Sequence, residues 1–318
     1  EPGATSSLLA DVGATNTRFA LLVGDKLSPI TVVRTGAFAA PDTAIAEFLD
    51  RVKAPVPPGR AVIAAAGPPS DGVIELTNSN WTLDARALAR RFDFARVELV
   101  NDFAALASAI PALGPADLRP IGGATAQPGK PAVVIGPGTG LGVAALMPAV
   151  GGDRVVAGEG GHVTLPATDA EEDAVIARLR ERFGHVSAER VLCGPGLRTL
   201  YEALGAIEGI GTPYETPAEI AEAAISGSDR LSHTALQLFC AFLGTVAGDL
   251  ALTFGARGGV YIGGGIAPRI VDFLAQSAFR QRFEAKGRFG RQLSQIATLV
   301  IMHEEPAFLG LARLAARL

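Results

Sequence analysis

Through its first hundred residues the chain alternates short apolar runs with turns of Gly, Pro, Thr and Asn, and later it settles into longer helical periods. Leu8 to Asp11 reads as a strand, followed by a Gly/Thr/Asn turn and a second strand from Thr17 to Val23. β signal continues in Ile30 to Arg34, and Asp42 to Val52 has helical spacing after Pro41. Ala61 to Ala66 is an apolar run ended by Gly67-Pro68-Pro69, the pattern of a buried strand. Asp84 to Phe92 predicts a helix with an arginine face, Val97 to Val100 a strand ended by Asn101-Asp102, and Phe103 to Ile110 the next helix. The Pro- and Gly-rich stretch from Pro111 to Pro131 predicts a crossing into a second domain.

The second part opens as the first does. Ala132 to Ile135 reads as a strand, Gly136-Pro137-Gly138-Thr139-Gly140 as a turn, and Leu141 to Met147 as another strand. A strand, a glycine-rich turn carrying Thr and a second strand thus occur twice, which predicts two related domains facing each other across a cleft. Helical segments follow at Ala170 to Phe183, Gly196 to Leu204, Pro217 to Ile225 and Arg230 to Phe254. A strand from Gly259 to Ile262, the run Gly263-Gly264-Gly265 and helix signal from Pro268 complete the pattern. Strands alternating with helices make this an α/β chain.

Composition narrows the function. With 318 residues, 48% of them hydrophobic, and a mean hydropathy of +0.31, the chain buries too much apolar surface to be disordered. At roughly 150 residues per domain it holds two domains or one large one. A net charge of −4 and the lack of any basic tract leave no electrostatic footprint for nucleic acid. Pro131 to Gly152 is uncharged, but its repeated Gly and Pro would break a spanning helix, so it reads as buried strands and turns. The apolar run from Leu236 is broken by Asp249 after about a dozen residues, too short to span a bilayer. The first seven residues have neither a basic region nor an apolar core, so they read as no signal peptide, and the lack of a starting methionine reads as a processed or trimmed end. Cys193 and Cys240 share no spacing motif and read as small buried hydrophobes in a reducing cytoplasm.

Several chemistries are missing. The chain has no GxxxxGK[ST] loop, no intact GxGxxG (Leu141 falls where the third glycine belongs), no GxSxG, no HExxH and no clustered His/Cys ligands. The first turn, Asp11-Val12-Gly13-Ala14-Thr15-Asn16-Thr17-Arg18, instead combines small and hydroxyl residues whose backbone N–H groups can form an anion-binding concavity. Asp11, at the end of a buried strand, is suited to hold Mg²⁺ through water, with Thr15, Asn16 and Arg18 as phosphate donors. An ordinary hairpin with local Asp and Thr turns is the alternative. The turn Gly136 to Gly142 repeats the logic with Thr139. Asn101-Asp102 follows a strand, where α/β ligands gather; Asp102 can take a proton from a hydroxyl while Asn101 orients it, or the two can simply cap a helix. Glu159 and His162, on Gly158-Glu159-Gly160-Gly161-His162, can bond vicinal hydroxyls or form a structural turn. Glu189 alone reads as a charge in the first turn of a helix. His185, His233 and His303 read as structural.

Taken in order, these motifs resemble bacterial glucokinase. The resemblance rests on Leu9-Ala10-Asp11-Val12-Gly13-Ala14-Thr15-Asn16-Thr17-Arg18, Asn101-Asp102-Phe103, Gly136-Pro137-Gly138-Thr139-Gly140-Leu141-Gly142, Glu159-Gly160-Gly161-His162, the run Ser187 to Gly196, and Gly263 to Arg269, and it covers nearly the whole chain. It implies the actin-like ATPase (ribonuclease H-like) fold, with a smaller α/β domain at 1–110 completed by a helix at 305–318, and a larger domain at 111–304. It implies glucose in the cleft and ATP·Mg²⁺ across the two hairpins, with domain closure excluding water. Asp102 then resembles the base for the glucose 6-hydroxyl, and Asn101, Asp102, Glu159, His162 and Glu189 the sugar-binding groups. Ala10 to Asn16, Gly138 and Thr139 match the phosphate and metal positions, and Gly264 and Gly265 the wall for adenosine. A cytoplasmic homodimer, with no membrane or nucleic-acid partner, completes the expectation.

Two departures refine it. Ala14 stands where a glycine is usual, a small change provided its φ is negative. The CxCGxxGC zinc motif of the related ROK kinases is missing, which favours the zinc-free group. A same-fold kinase of mannose, fructose or N-acetylmannosamine is the nearest rival. A sugar-responsive repressor would need a helix-turn-helix, for which the residues before Leu8 leave no room. An actin-like filament protein would leave Glu159, His162 and Glu189 unexplained.

Overall fold

Seven residues that are buried almost without interruption, Ser6–Val12, form the central strand β1 of a computed structural model describing residues 6–54, 56–76 and 79–318. Residues 1–5, part of the stretch read as no signal peptide, lie outside the described residues. Two compact units emerge: one runs to Leu113 and takes in His303–Leu318, and the other is Gly114–Met302.

In the first unit β1 pairs antiparallel with β2 (Asn16–Val23), which also carries β3 (Lys26–Leu27) and β4 (Thr31–Arg34). After helix α1 (Pro41–Val52), β5 (Arg60–Ala65) joins β1 in parallel. A small hairpin of β6 (Val73–Glu75) and β7 (Thr82–Asp84), which the sequence analysis did not predict, leads to α2 (Ala85–Phe92). Parallel to β5 runs β8 (Arg96–Asn101), continuing directly into α3 (Asp102–Ala109).

Strand alternation sorts the residues of β1 onto two layers. Leu8, Ala10 and Val12 pack with Phe19, Ile45 and Phe48 on one face. Leu9 packs with Ala20, Val62 and Ala105 on the other. Asp11 shares the parity of Leu9, so it emerges on the α3 side at the carboxyl edge of the sheet.

The second unit repeats the plan. Its strands β9 (Leu118–Ile121), β10 (Ala132–Pro137), β11 (Leu141–Met147), β12 (Arg154–Gly158), β13 (Val260–Ile262) and β14 (Thr298–Ile301) lie in the order β12-β11-β10-β13-β14-β9. As in the first sheet, an antiparallel hairpin is extended by parallel strands, so the echo seen in the sequence is an echo of topology. The stretch read as a crossing contains β9, an edge strand that tolerates Pro120 because an edge residue need not donate on its outer side.

Helices α4 (Ala170–Phe183), α5 (Gly194–Glu208), α6 (Pro217–Ser226) and α7 (Arg230–Phe254) cover this sheet, followed by the short α8 (Val271–Gln276), α9 (Phe279–Glu284) and α10 (Gly290–Leu293). By length and composition α7 is long and apolar enough to cross a membrane, which corrects the expectation of too short a run. Its apolar window is 83% buried inside the fold, however, because Leu236, Phe239, Phe242 and Val246 form the spine of this unit's core. Both cysteines are free and buried, and burial pushes the Cys240 thiol up to about 12.

The last helix, α11 (Pro306–Ala315), belongs to the first unit, where Phe308, Leu311 and Ala315 close the layer that holds Leu9 and Ala105. The approach to α3 is close: a Cβ on Gly310 would sit 1.8 Å from the Ala105 carbonyl oxygen. Gly310→Ala is therefore expected to lower stability by roughly 1–3 kcal/mol, the usual range for overpacking. Thermal unfolding checks this, and an unchanged Tm would show that the two helices slide apart freely.

Candidate active site

Three parallel strands of the first unit end together, with Val12 opposite Ala65 and Ala65 opposite Asn101. Carboxyl edges of this kind collect ligands in α/β folds. Here the edge carries Asp11 and Asn101-Asp102. Asn101 performs the cap that its residue type allows: its Oδ1 accepts from Phe103 N–H at 3.0 Å and Ala104 N–H at 3.2 Å. Its Nδ2 donates to the Gly67 carbonyl at 3.4 Å and has a second hydrogen for a ligand. Asp102 is the first residue of α3 and its Oδ1 accepts from Phe103 N–H at 2.9 Å.

The neighbouring turn is tight. Gly13 N–H donates to the Asn16 carbonyl at 3.0 Å, and Ala14 and Thr15 lie exposed at the tip. Ala14 is not among the residues with positive φ, so its methyl costs nothing of the glycine that is usual there. Behind the turn, Thr35 Oγ1 donates to the Gly13 carbonyl at 2.7 Å and lies 2.9 Å from Thr17 Oγ1. Sequence reading missed Thr35, because nothing local announces a buried hydroxyl that arrives from the 3-10 turn after β4.

Arg18 faces Asp11 across the β1–β2 ladder, with Nη1 3.6 Å from Asp11 Oδ2, while its Nε donates to Glu305 Oε1 at 2.9 Å. Its Nε is committed to Glu305, and the remaining guanidinium N–H groups are the ones its sequence reading would direct to phosphate. Burial pushes the Asp11 carboxyl up to about 6; Asp102 and Glu305 add to the rise and Arg18 opposes it. A surplus of negative charge at this edge is what a divalent cation would relieve. Among the described residues no group of three or more His, Cys, Asp or Glu could hold a metal. A lone carboxylate fits Mg²⁺, which keeps most of its ligands as water and phosphate.

In the second unit, Glu159, His162 and Glu189 arrive from two separate segments and converge. Glu159 and His162 flank a 3-10 turn at Gly160–His162, with His162 Nε2 3.9 Å from Glu159 Oε2 and its Nδ1 3.9 Å from Glu189 Oε1. Gly161 lets this turn press on β11: a Cβ there would sit 2.1 Å from the Leu141 carbonyl oxygen. Glu189 lies in a 3-10 turn at Ala188–Arg190, not at an α-helix N-terminus, which corrects its sequence reading. Its Oε2 accepts from Leu141 N–H at 2.8 Å, fastening it to the β10–β11 hairpin. Cys193 reinforces that turn, since its thiol donates to the Glu189 carbonyl at 3.0 Å.

At the hairpin tip, Gly138 N–H donates to the Gly140 carbonyl at 2.8 Å, which leaves Thr139 at the apex. The Gly263–Gly265 turn packs against the same hairpin. Gly264 has φ +77°, and a Cβ on it would meet the Pro137 carbonyl oxygen at 2.4 Å, so no other residue fits. Gly265 is exposed beside it. The remaining histidines have structural partners: His185 with Thr164 at 3.0 Å, His233 with the Ala224 carbonyl at 3.3 Å and Phe273, and His303 Nδ1 with Glu305 N–H at 3.1 Å.

Comparison with known proteins agrees along the whole chain. A family model described as glucokinase matches residues 8–318. A glucokinase of Nitrobacter hamburgensis is 45% identical over 307 residues, covering 96% of each chain. One of Paramagnetospirillum magneticum is 44% identical over 310 residues, again 96% of each. The crystal structure of a glucokinase from an Antarctic psychrotroph matches with a TM-score of 0.90 at 34% identity, over 98% of this chain and 99% of that one. The fold, with its repeated sheet, is that of the actin-like ATPases. On a family match over nearly its full length and relatives this similar, the chain belongs to the glucokinase family.

Proposed function

We infer that the chain phosphorylates D-glucose at its 6-hydroxyl with ATP, releasing glucose 6-phosphate and ADP. The observation that carries this reading is the convergence of Glu159, His162 and Glu189, since two carboxylates and an imidazole on glycine-rich turns suit a ligand with several vicinal hydroxyls. An ATPase that bound no polyol would have no use for them.

Asp102 accepts the proton of the 6-hydroxyl as its oxygen bonds to the γ-phosphorus, and the bond to the ADP oxygen breaks. Asn101 holds a neighbouring hydroxyl through Nδ2, because its Oδ1 is engaged in the helix cap. Glu189 presents Oε1, its Oε2 being held by Leu141. The phosphates lie along the Ala10–Asn16 hairpin and at Gly138-Thr139, with adenosine against Gly264 and Gly265. Asp11 would hold Mg²⁺ through water, and the ion would neutralise charge on the phosphates. Free, buried cysteines fit a reducing cytoplasm, and a homodimer is part of the same reading.

A coupled assay for glucose 6-phosphate, run with ATP·Mg²⁺ and a panel of hexoses, tests the reading. Turnover that is fastest on glucose supports it; turnover on another hexose moves the substrate, and none on any hexose overturns it. Within that assay, Glu159→Ala and His162→Ala are expected to raise the KM for glucose at least tenfold, on the order of 1.4 kcal/mol each, with little change in the KM for ATP. A larger shift for ATP than for glucose would remove both residues from the sugar site.

A further inference from the structure

At the opposite edge of the second unit's sheet, where β10, β13 and β14 begin, lies a cavity of about 580 Å³. The six residues of β10 separate it from the Gly138-Thr139 turn by roughly 20 Å, so it is no part of the candidate active site. It is lined by Arg257, Arg288 and Arg291, by Phe289, and by the amide-bearing Gln127, Gln292 and Gln295. No carboxylate lines it.

Arginines nearby are of two kinds. Arg280 is structural: its Nε donates to Glu284 at 2.6 Å and its other nitrogens to the carbonyls of Leu293, Ser294 and Ile296, which pins the cavity wall. Arg282 is bound to Glu172 and Asp169. Arg257, Arg288 and Arg291 take part in none of the ion pairs found among the described residues. Three like charges are thus gathered in one concavity of a chain whose net charge is −4. Such a gathering raises the local positive potential and favours an anion that can meet all three at once. Guanidinium forks match phosphate oxygens bidentately, and the half-exposed Phe289 adds an apolar face beside them.

We propose that this cavity is a second, non-catalytic site that binds a small phosphate-bearing anion. The charge is supplied by Arg257, Arg288 and Arg291, and the amides of Gln127 and Gln295 donate to the remaining oxygens. The assignment stands apart from the sugar-kinase reading, since it uses no residue of that site.

Calorimetric titration of the full chain with inorganic pyrophosphate tests it against an Arg257→Gln/Arg291→Gln double variant. Both positions are exposed, so an unchanged melting temperature verifies the fold. The expected result is a binding event that weakens at least tenfold in the double variant and fades as salt rises. Superimposable isotherms for the two proteins overturn the proposal. An Arg86→Gln/Arg90→Gln control on α2 removes the same charge elsewhere, and an equal loss there also overturns it. Adenosine monophosphate, titrated with and without Phe289→Ala, separates the sources. Only binding that the Arg257→Gln/Arg291→Gln variant also weakens belongs to this cavity: its further weakening by Phe289→Ala marks a phosphate carried on a ring, and its persistence marks the anion alone.

Discussion

Asp102→Ala is expected to lower kcat by about 10²–10⁴-fold, the range that a positioned general base contributes, while glucose binding stays measurable. The separation follows from position. Asp102 accepts from the Phe103 N–H, but the N-terminus of α3 is capped independently by Asn101, whose Oδ1 accepts from both Phe103 and Ala104. Removing the carboxylate therefore leaves the helix start intact, and the groups read as sugar ligands in the second unit are untouched. Steady-state kinetics with ATP·Mg²⁺, paired with equilibrium glucose binding, reads both halves of the prediction. A variant with near-normal kcat would strip Asp102 of the role of base, and one that lost glucose binding as completely as turnover would make it a sugar ligand first.

Asp11→Asn is expected to act in opposite directions on activity and stability. Activity should fall by on the order of 10²-fold, as when one preorganised electrostatic contact to the reacting phosphates is lost. The ligand-free fold should become more stable at neutral pH. Burial raises the Asp11 carboxyl from 3.8 to about 6, and that net rise already includes the attraction of Arg18. The folded protein therefore binds more protons than the unfolded chain between these values, and its stability declines as pH climbs from about 4 through about 6. Above that the loss is constant, at most ~3 kcal/mol for a shift of this size. Asparagine carries no such charge. Melting curves of both proteins from pH 4 to 8 without Mg²⁺ should diverge across that window and then run parallel, with the variant higher. A constant gap, or a less stable variant at pH 8, would show that Asp11 is not a strained carboxylate.

The parts of the site that are written locally were legible in the sequence. Asp11 at a strand end, the turn that follows it, Asn101-Asp102 before a helix and the glycine-rich second hairpin each announce themselves within a few residues. The repeated strand–turn–strand pattern likewise foretold the repeated sheet. What escaped depends on partners remote in the chain. Thr35 supports Gly13 from the 3-10 turn after β4, Glu189 bonds Leu141 from 48 residues away, and Arg18 is drawn to Glu305. Read alone, Glu189 suggested only a helix-dipole charge, because its true partner is a backbone N–H that no pattern reveals. The β6–β7 hairpin and β9 escaped for another reason: they are short and set among turn residues, Asp71-Gly72 before β6 and Pro120 within β9, which mask any period of two.

Arg18 bridges Asp11 on β1 and Glu305, the residue immediately before α11, and α11 in turn supplies Phe308, Leu311 and Ala315 to the layer behind α3. The first unit is therefore discontinuous, and it is finished by residues that the ribosome makes only after the whole of the second unit. Domains that are continuous in sequence can fold as they emerge. Here the sheet edge bearing Asp11 and Asp102 must wait with an open apolar flank of Leu9, Ala20 and Val62 until α11 is translated. A chain ending between Met302 and Pro306 would hold the whole second unit but leave the first unfinished and sticky, a natural substrate for chaperones. Synthesis to the last helix thus acts as a checkpoint, coupling completion of the polypeptide to completion of its chemistry.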